Sequence, residues 1–248
     1  MKKIRNKHVL IVSPGNNLKK YEDKIKKFIQ DNEIVTIGAN SINNVLAPDY
    51  HFWGSGHRWR KYGRFVDPKS VLIFSPGFSG KSIRKYWKKE YKTYKTNERV
   101  IGDTKKYKTI YSYFENTALV AAFWAYQKKA SKISIVGMDG YSYYTEEELK
   151  TKQHAQHCYG KGFTDGQTYE YGRRKDIGYY IRLKAFNRYG KKKYGFGLEI
   201  LTPTVYDKFY NPKVLDIEER YEGIPIQLED KKKFKKDKNI YIKGSKYW

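Results

Sequence analysis

The sequence predicts an α/β protein, a mostly parallel sheet covered by helices on both faces, and three observations predict it. Short apolar runs alternate with stretches at helical spacing along most of the chain. Two of those runs nearly repeat, Val9-Leu-Ile-Val-Ser-Pro-Gly15 and Val71-Leu-Ile-Phe-Ser-Pro-Gly77, each a strand running into a turn. Glycine and small polar residues collect at the carboxyl ends of the predicted strands, where sheets of this kind bind ligands.

The first strand starts at His8 and ends at Ser13-Pro-Gly15; helical spacing then holds from Leu18 to Gln30. Gly15 allows a tight turn and close approach to a ligand, and the amides of residues 16–19, Asn16 and Asn17 included, are placed to face phosphate oxygens. An ordinary strand-to-helix turn with no ligand is the competing reading. Residues 33–40 form the second strand and end at Asn40. Residues 49–54 form a short third strand that leads to the basic-aromatic cluster His57, Arg58, Trp59 and Arg60. The fourth strand, 70–77, gives way to interleaved Lys and Tyr over 81–111, including Lys81, Tyr86 and Trp87. Aromatic faces between cations suit stacking on bases or sugars beside phosphates; a solvated helix packing its rings on the body fits the same pattern. A helix over 117–129, capped by Asn116 or Thr117, precedes a buried strand 132–139 ending at Asp139. The aromatic loop Gly140-Tyr-Ser-Tyr-Tyr144 follows, then a helix opening at Thr145 with acidic residues in its first turn. Residues 154–167 read as loop, 176–189 as amphipathic helix, and 198–202 as a last parallel strand. The expected organisation is one domain over 1–228, with 81–111 and 140–175 as insertion or lid segments and 229–248 as a basic tail.

The charge is the loudest global signal. Fifty-one Lys and Arg against 26 Asp and Glu give +25, spread over the chain. Such a field attracts nucleic acid or an anionic glycan and suits peripheral contact with anionic membrane. A coding bias that inflates Lys and Tyr supplies part of the excess. The single cysteine, Cys158, excludes an internal disulfide framework and suits a reducing, cytoplasmic setting. No apolar run approaches the length of a membrane span or a signal peptide.

Several constellations carry chemistry. Gly80-Lys81-Ser82 fits the end of a phosphate-binding P-loop, but Ser75 stands where its first glycine belongs. A nucleotide kinase or diphosphokinase, magnesium-dependent, is therefore an alternative. His154 and His157 are candidates for a general base or a phosphate contact, with two surface histidines as the plain reading. Beside Cys158 they lack the partners of a metal site, so no metal is expected. Arg173 and Arg174 with Lys175 stand at the expected helix start, where cations are unfavourable unless an anion is bound.

The order of Ser13-Pro-Gly-Asn-Asn-Leu18, Asn40, Thr117-Ala118, Gly137-Met-Asp139 and Tyr141, over roughly residues 8–205, resembles the small bacterial sialyltransferases. It is similar also to their relatives, the flagellin glycosyltransferases and the archaeal hydroxymethylpterin diphosphokinase-like domains. The resemblance implies a Rossmann-like fold and a nucleotide-sugar donor, with no further cofactor and no metal. It implies that Tyr141, with Tyr143 or Tyr144, holds the donor phosphate. A histidine before the next helix is the base in those enzymes; Tyr171 occupies that position here, so His157 or His154 takes the role or the chemistry differs. The expectation is a glycosyltransferase acting on a polyanionic acceptor, modified DNA or an anionic surface glycan. A nucleic-acid-binding module without catalysis stands as a third reading.

Overall fold

A computed structural model describes residues 2–42, 45–94, 116–150, 157–158 and 168–227. Seven parallel strands form a single sheet: β1 (His8–Val12), β2 (Val35–Ala39), β3 (Tyr50–Trp53), β4 (Val71–Phe74), β5 (Lys92–Thr93), β6 (Lys132–Val136) and β7 (Leu198–Ile200). Their order across the sheet is β5-β4-β3-β2-β1-β6-β7. The chain thus builds outward from β1 to one edge, then returns to lay β6 against the other side of β1. Val9 pairs with both Val35 and Ile133, so β1 is the hinge of the topology. In an open parallel sheet the crevice at such a reversal is where ligands bind.

Alternation along the strands divides the apolar side chains between the two faces. Val9 and Ile11 of β1, with Ile37, Phe52 and Ile73, pack under α5 (Thr117–Gln127) and α7 (Tyr169–Tyr194). On the opposite face Leu10 and Val12 meet Ile25 of α2 (Glu22–Asp31). Leu72 and Phe74 meet Trp59 of α3 (Gly56–Tyr62) and Ile83 of α4 (Gly80–Arg84). Helix α5 is buried almost all round, because α7 closes over it with Phe186 and Tyr189 against Phe123 and Tyr126. The fold is therefore α/β and Rossmann-like, as the alternation of elements predicts.

Several boundaries differ from expectation for local reasons. The first helix breaks at Tyr21 into α1 (Asn17–Lys20) and α2. Residues 81–94, expected within an insertion, supply most of α4 and the edge strand β5, and Tyr94 enters the main core. The rest of that segment, 95–111, lies outside the described residues, as do all of the expected basic tail and His154. Thr145 and Glu148 cap α6 (Glu146–Lys150) reciprocally: the Thr145 amide donates to Glu148 Oε2 at 2.7 Å and the Glu148 amide to Thr145 Oγ1 at 3.3 Å. Helix α7 begins seven residues earlier than residue 176, where Thr168 accepts from the Tyr171 amide. Arg173 and Arg174 consequently lie in the second turn, past the first-turn dipole, and the conflict that pointed to a bound anion there is absent. Arg174 instead pairs with Glu170 one turn earlier, and Arg173 donates to the Ile224 carbonyl.

Candidate functional site

The crevice beyond the carboxyl ends of β1 and β6 is a cleft of about 250 Å³. Its floor is the β1 turn (Ser13, Pro14, Gly15) and the β6 turn (Gly137–Tyr141). Its walls come from Asn40, from Arg58 on α3, from the amino end of α5, and from Lys175 and Tyr179 on α7. Of the residues expected from sequence, Gly15, Asn40, Arg58, Thr117, Asp139, Tyr141 and His157 meet here.

Asn40 explains how three loops converge. It sits at φ 57°, a left-handed conformation that asparagine tolerates and β-branched residues resist. Its side-chain carbonyl accepts from the Gly54 and Ser55 amides at 3.0 and 3.1 Å, and its amide group donates to Thr117 Oγ1 at 2.9 Å. The ends of β2 and β3 and the start of α5 are thereby tied together. Thr117 in turn leaves no room beside Gly54, where a Cβ would fall 2.4 Å from Oγ1. Asn116 caps α5, accepting from the Ala118 amide at 2.8 Å and the Leu119 amide at 3.4 Å.

The β1 turn departs from the expectation. Asp139 reaches back from β6 and accepts the Asn17 amide at 2.8 Å. The Gly15 amide donates to the Gly137 carbonyl at 2.7 Å, and the Leu18 and Lys19 amides close onto Gly15 and Asn16. The Asn17, Leu18 and Lys19 donors, expected to face a phosphate, are occupied from within the protein, and the group at the start of α1 is the Asp139 carboxyl. Gly15 is needed for the same reason: a Cβ there would lie 2.6 Å from the Asp139 carboxyl carbon and 2.5 Å from the Gly137 carbonyl oxygen. Asn17 is buried and donates its side-chain amide to the Pro203 carbonyl at 2.8 Å, while Asn16 reaches the Tyr144 hydroxyl at 3.1 Å. Burial raises the Asp139 carboxyl to about 7, against the pull of the Asn16 and Asn17 groups that hydrogen-bond to it.

His157 reaches the cleft because Gly15 and His157 bridge antiparallel and the Cys158 amide donates to the Pro14 carbonyl at 3.0 Å. Arg58 Nη2 lies 3.3 Å from His157 Nε2. Burial first, and the Arg58 charge second, lower the imidazole to about 3, so it is neutral at pH 7.

Sequence reading missed Asp176, Tyr179 and Tyr206 as parts of the site; of the three cations it grouped as an anion contact, Lys175 lines the cleft and Arg173 and Arg174 do not. Fully buried Asp176 accepts from the Tyr141 and Ser142 amides at 2.9 and 2.7 Å, from Ser142 Oγ at 2.7 Å and from the Tyr206 hydroxyl at 2.6 Å. It holds the aromatic loop in place, and Gly172 lets α7 approach that loop, where a Cβ would lie 2.9 Å from the Tyr141 carbonyl. Lys175 Nζ stands 4.8 Å from the centre of the Tyr141 ring and 4.6 Å from that of Tyr171. The four-residue spacing of Tyr171, Lys175 and Tyr179 was the available signal, since it puts the three on one helical face.

The remaining expected residues stand elsewhere. Tyr171 is exposed on α7 outside the cleft lining. Trp59 is core, packed edge-on against Trp53 and Phe74 and donating its indole N–H to the Ser82 carbonyl at 2.8 Å, so it is closed to an acceptor. Trp87 is likewise buried, with Tyr86 partly so, and His57 and Lys81 are exposed away from the cleft lining. The Gly80-Lys81-Ser82 turn lies beyond β4, next to the edge strand, separate from the crevice. No cluster of three or more metal-binding side chains occurs among the described residues, and no described helix is long and apolar enough to cross a membrane.

Neither known protein-family profiles nor curated proteins give a match to this chain.

Proposed function

We propose that the protein is a nucleotide-sugar-dependent glycosyltransferase that acts on a polyanionic acceptor. The observation that carries this reading is the composition of the crevice at the β1–β6 reversal. It combines two cations from different helices, Arg58 and Lys175, the amino end of α5 and the Tyr141 ring in one cleft. Two cations lining one cleft suit a phosphate ester, and the α5 dipole has the same sign. The resemblance of Gly137-Met-Asp139 and Tyr141 to the sialyltransferase motif supports the same ligand.

In the reaction the acceptor oxygen bonds to the anomeric carbon, and the nucleotide phosphate leaves with the electron pair of the broken C–O bond. Arg58 and Lys175 meet the charge that grows on the departing phosphate. His157, neutral in the cleft, receives the acceptor proton. A phosphate that draws the Arg58 guanidinium to itself removes the cation from Nε2 and adds an anion nearby, and both changes make the imidazole more basic. His154 remains the other candidate for this step.

A thermal-shift panel of CMP-, UDP- and GDP-sugars and ATP, each with and without magnesium, tests the reading. A ligand at 100 times its Kd adds about 2.7 kcal/mol, or roughly 5 °C or more in Tm for a chain of this size. Stabilisation by one sugar nucleotide without magnesium, lost in Arg58→Ala and Lys175→Ala, is the expected result. Stabilisation by ATP alone, with a loss in Lys81→Ala, would establish the kinase alternative instead.

A further inference from the structure

Two stretches of the described residues gather the positive charge: 57–92, and the carboxyl half of α7, where residues 182–193 hold six Lys and Arg and no acid. Residues 57–92, which contain all of α3 but its first residue, with β4, α4 and the start of β5, hold eleven Lys and Arg against two acids, a net of +9. Every one of the eleven is exposed except Arg58, which is half-buried where it enters the cleft. None forms an ion pair among the described residues. The α1–α2 side differs: Lys20 pairs with Glu219, Lys26 with Glu22 and Lys27 with Asp31.

Several of these cations rest against aromatic rings. Lys61 lies 5.4 Å from the centre of the Tyr62 ring, Arg64 4.6 Å from Phe65, Arg84 5.2 Å from Tyr91, and Lys85 5.2 Å from Tyr86. Where these side chains accept order, they do so on rings and backbone carbonyls, which leave their charge unneutralised. Arg84, for example, donates to the Lys88 and Lys89 carbonyls at 2.7 and 3.0 Å.

We propose that this α3–α4 face is the track on which a nucleic-acid strand lies, with Arg58 guiding it into the cleft; as an acceptor site, the track rests on the glycosyltransferase reading. Three features favour nucleic acid over other polyanions. Exposed cations in a stretch of net +9, none with an ion pair among the described residues, match a ligand of high linear charge density, and duplex DNA carries one charge per about 1.7 Å of axis. A membrane surface is disfavoured, because among the described residues Phe65 is the only large apolar side chain exposed on this face. Ordered cations lose less side-chain entropy when a phosphate arrives.

Fluorescence anisotropy with a labelled DNA duplex, competed by a carboxylated polysaccharide and by phosphatidylserine vesicles, tests the track. The triple variant Arg60→Glu, Lys61→Glu, Arg64→Glu is compared with Lys191→Glu, Lys192→Glu, Lys193→Glu, an equal change in net charge at the far end of α7. Removing three phosphate contacts should weaken DNA binding by about 30-fold or more near physiological salt and flatten the slope of log K against log salt by nearly 3. The α7 variant should lose less than about threefold. Should the first variant melt early, Lys81→Glu, Lys85→Glu, Lys88→Glu tests the same face.

Equal losses in the two sets would reduce the effect to net charge alone and overturn the track. Stronger competition by the polysaccharide or the vesicles would overturn its assignment to nucleic acid. The assay contains no sugar nucleotide, so DNA binding without any sugar-nucleotide stabilisation would end the catalytic reading and leave the surface standing.

Discussion

Asp139→Asn isolates the carboxyl that fills the β1 turn. Burial raises this group from 3.8 to about 7 in the folded chain. Below pH 3.8 both folded and unfolded states hold the proton and the group has no effect on stability. Between pH 3.8 and 7 the unfolded chain releases the proton while the folded chain keeps it, so stability falls as pH rises through this window. Above 7 the loss levels off at about 4 kcal/mol, three pKa units at 1.36 kcal/mol each. Asparagine preserves the shape and an acceptor for the Asn17 amide but has nothing to titrate. Urea unfolding of both proteins at pH 5 and pH 8 measures the difference. The stability of Asp139→Asn relative to the wild type should rise by about 2–3 kcal/mol between the two values. Parallel pH profiles would refute the assignment of Asp139 as a desolvated group in this turn.

Gly15→Ala should destabilise the fold by about 2–4 kcal/mol in the same urea assay, because the new methyl overlaps the Asp139 carboxyl and weakens its bond to Asn17. Asn40→Ala removes the ties to Gly54, Ser55 and Thr117 at a left-handed position and should cost about 3 kcal/mol. Calorimetry should show a matching fall in Tm, with sugar-nucleotide stabilisation lost as the cleft walls separate. In Arg58→Ala the His157 imidazole should titrate above about 3, while staying below 6.5 because burial, the larger cause, remains. An NMR titration of His157 Cε1–H reads this directly, and an unchanged midpoint would remove Arg58 as a cause.

The sequence by itself determined the class of fold, the identity of most strands and the starts of α5 and α6. Apolar runs, their alternation with helical spacing, and the Asn116 and Thr145 caps are local signals, set by residues within one or two turns of each other. It also picked seven of the residues that line the cleft, four of them, Gly15, Asn40, Asp139 and Tyr141, because the loops after parallel strands share one edge of the sheet. Tertiary structure alone decided that β6 pairs with β1, which places Asp139 against Gly15. The same pairing turned a glycine read as room for a ligand into room for a carboxylate. It decided as well that Trp59 is core and that Lys175 faces Tyr141, because the register of α7 is fixed by Asp176 gripping a loop 35 residues away. Such contacts join groups far apart in sequence, and their energies exist only once the sheet has closed; no local pattern encodes them.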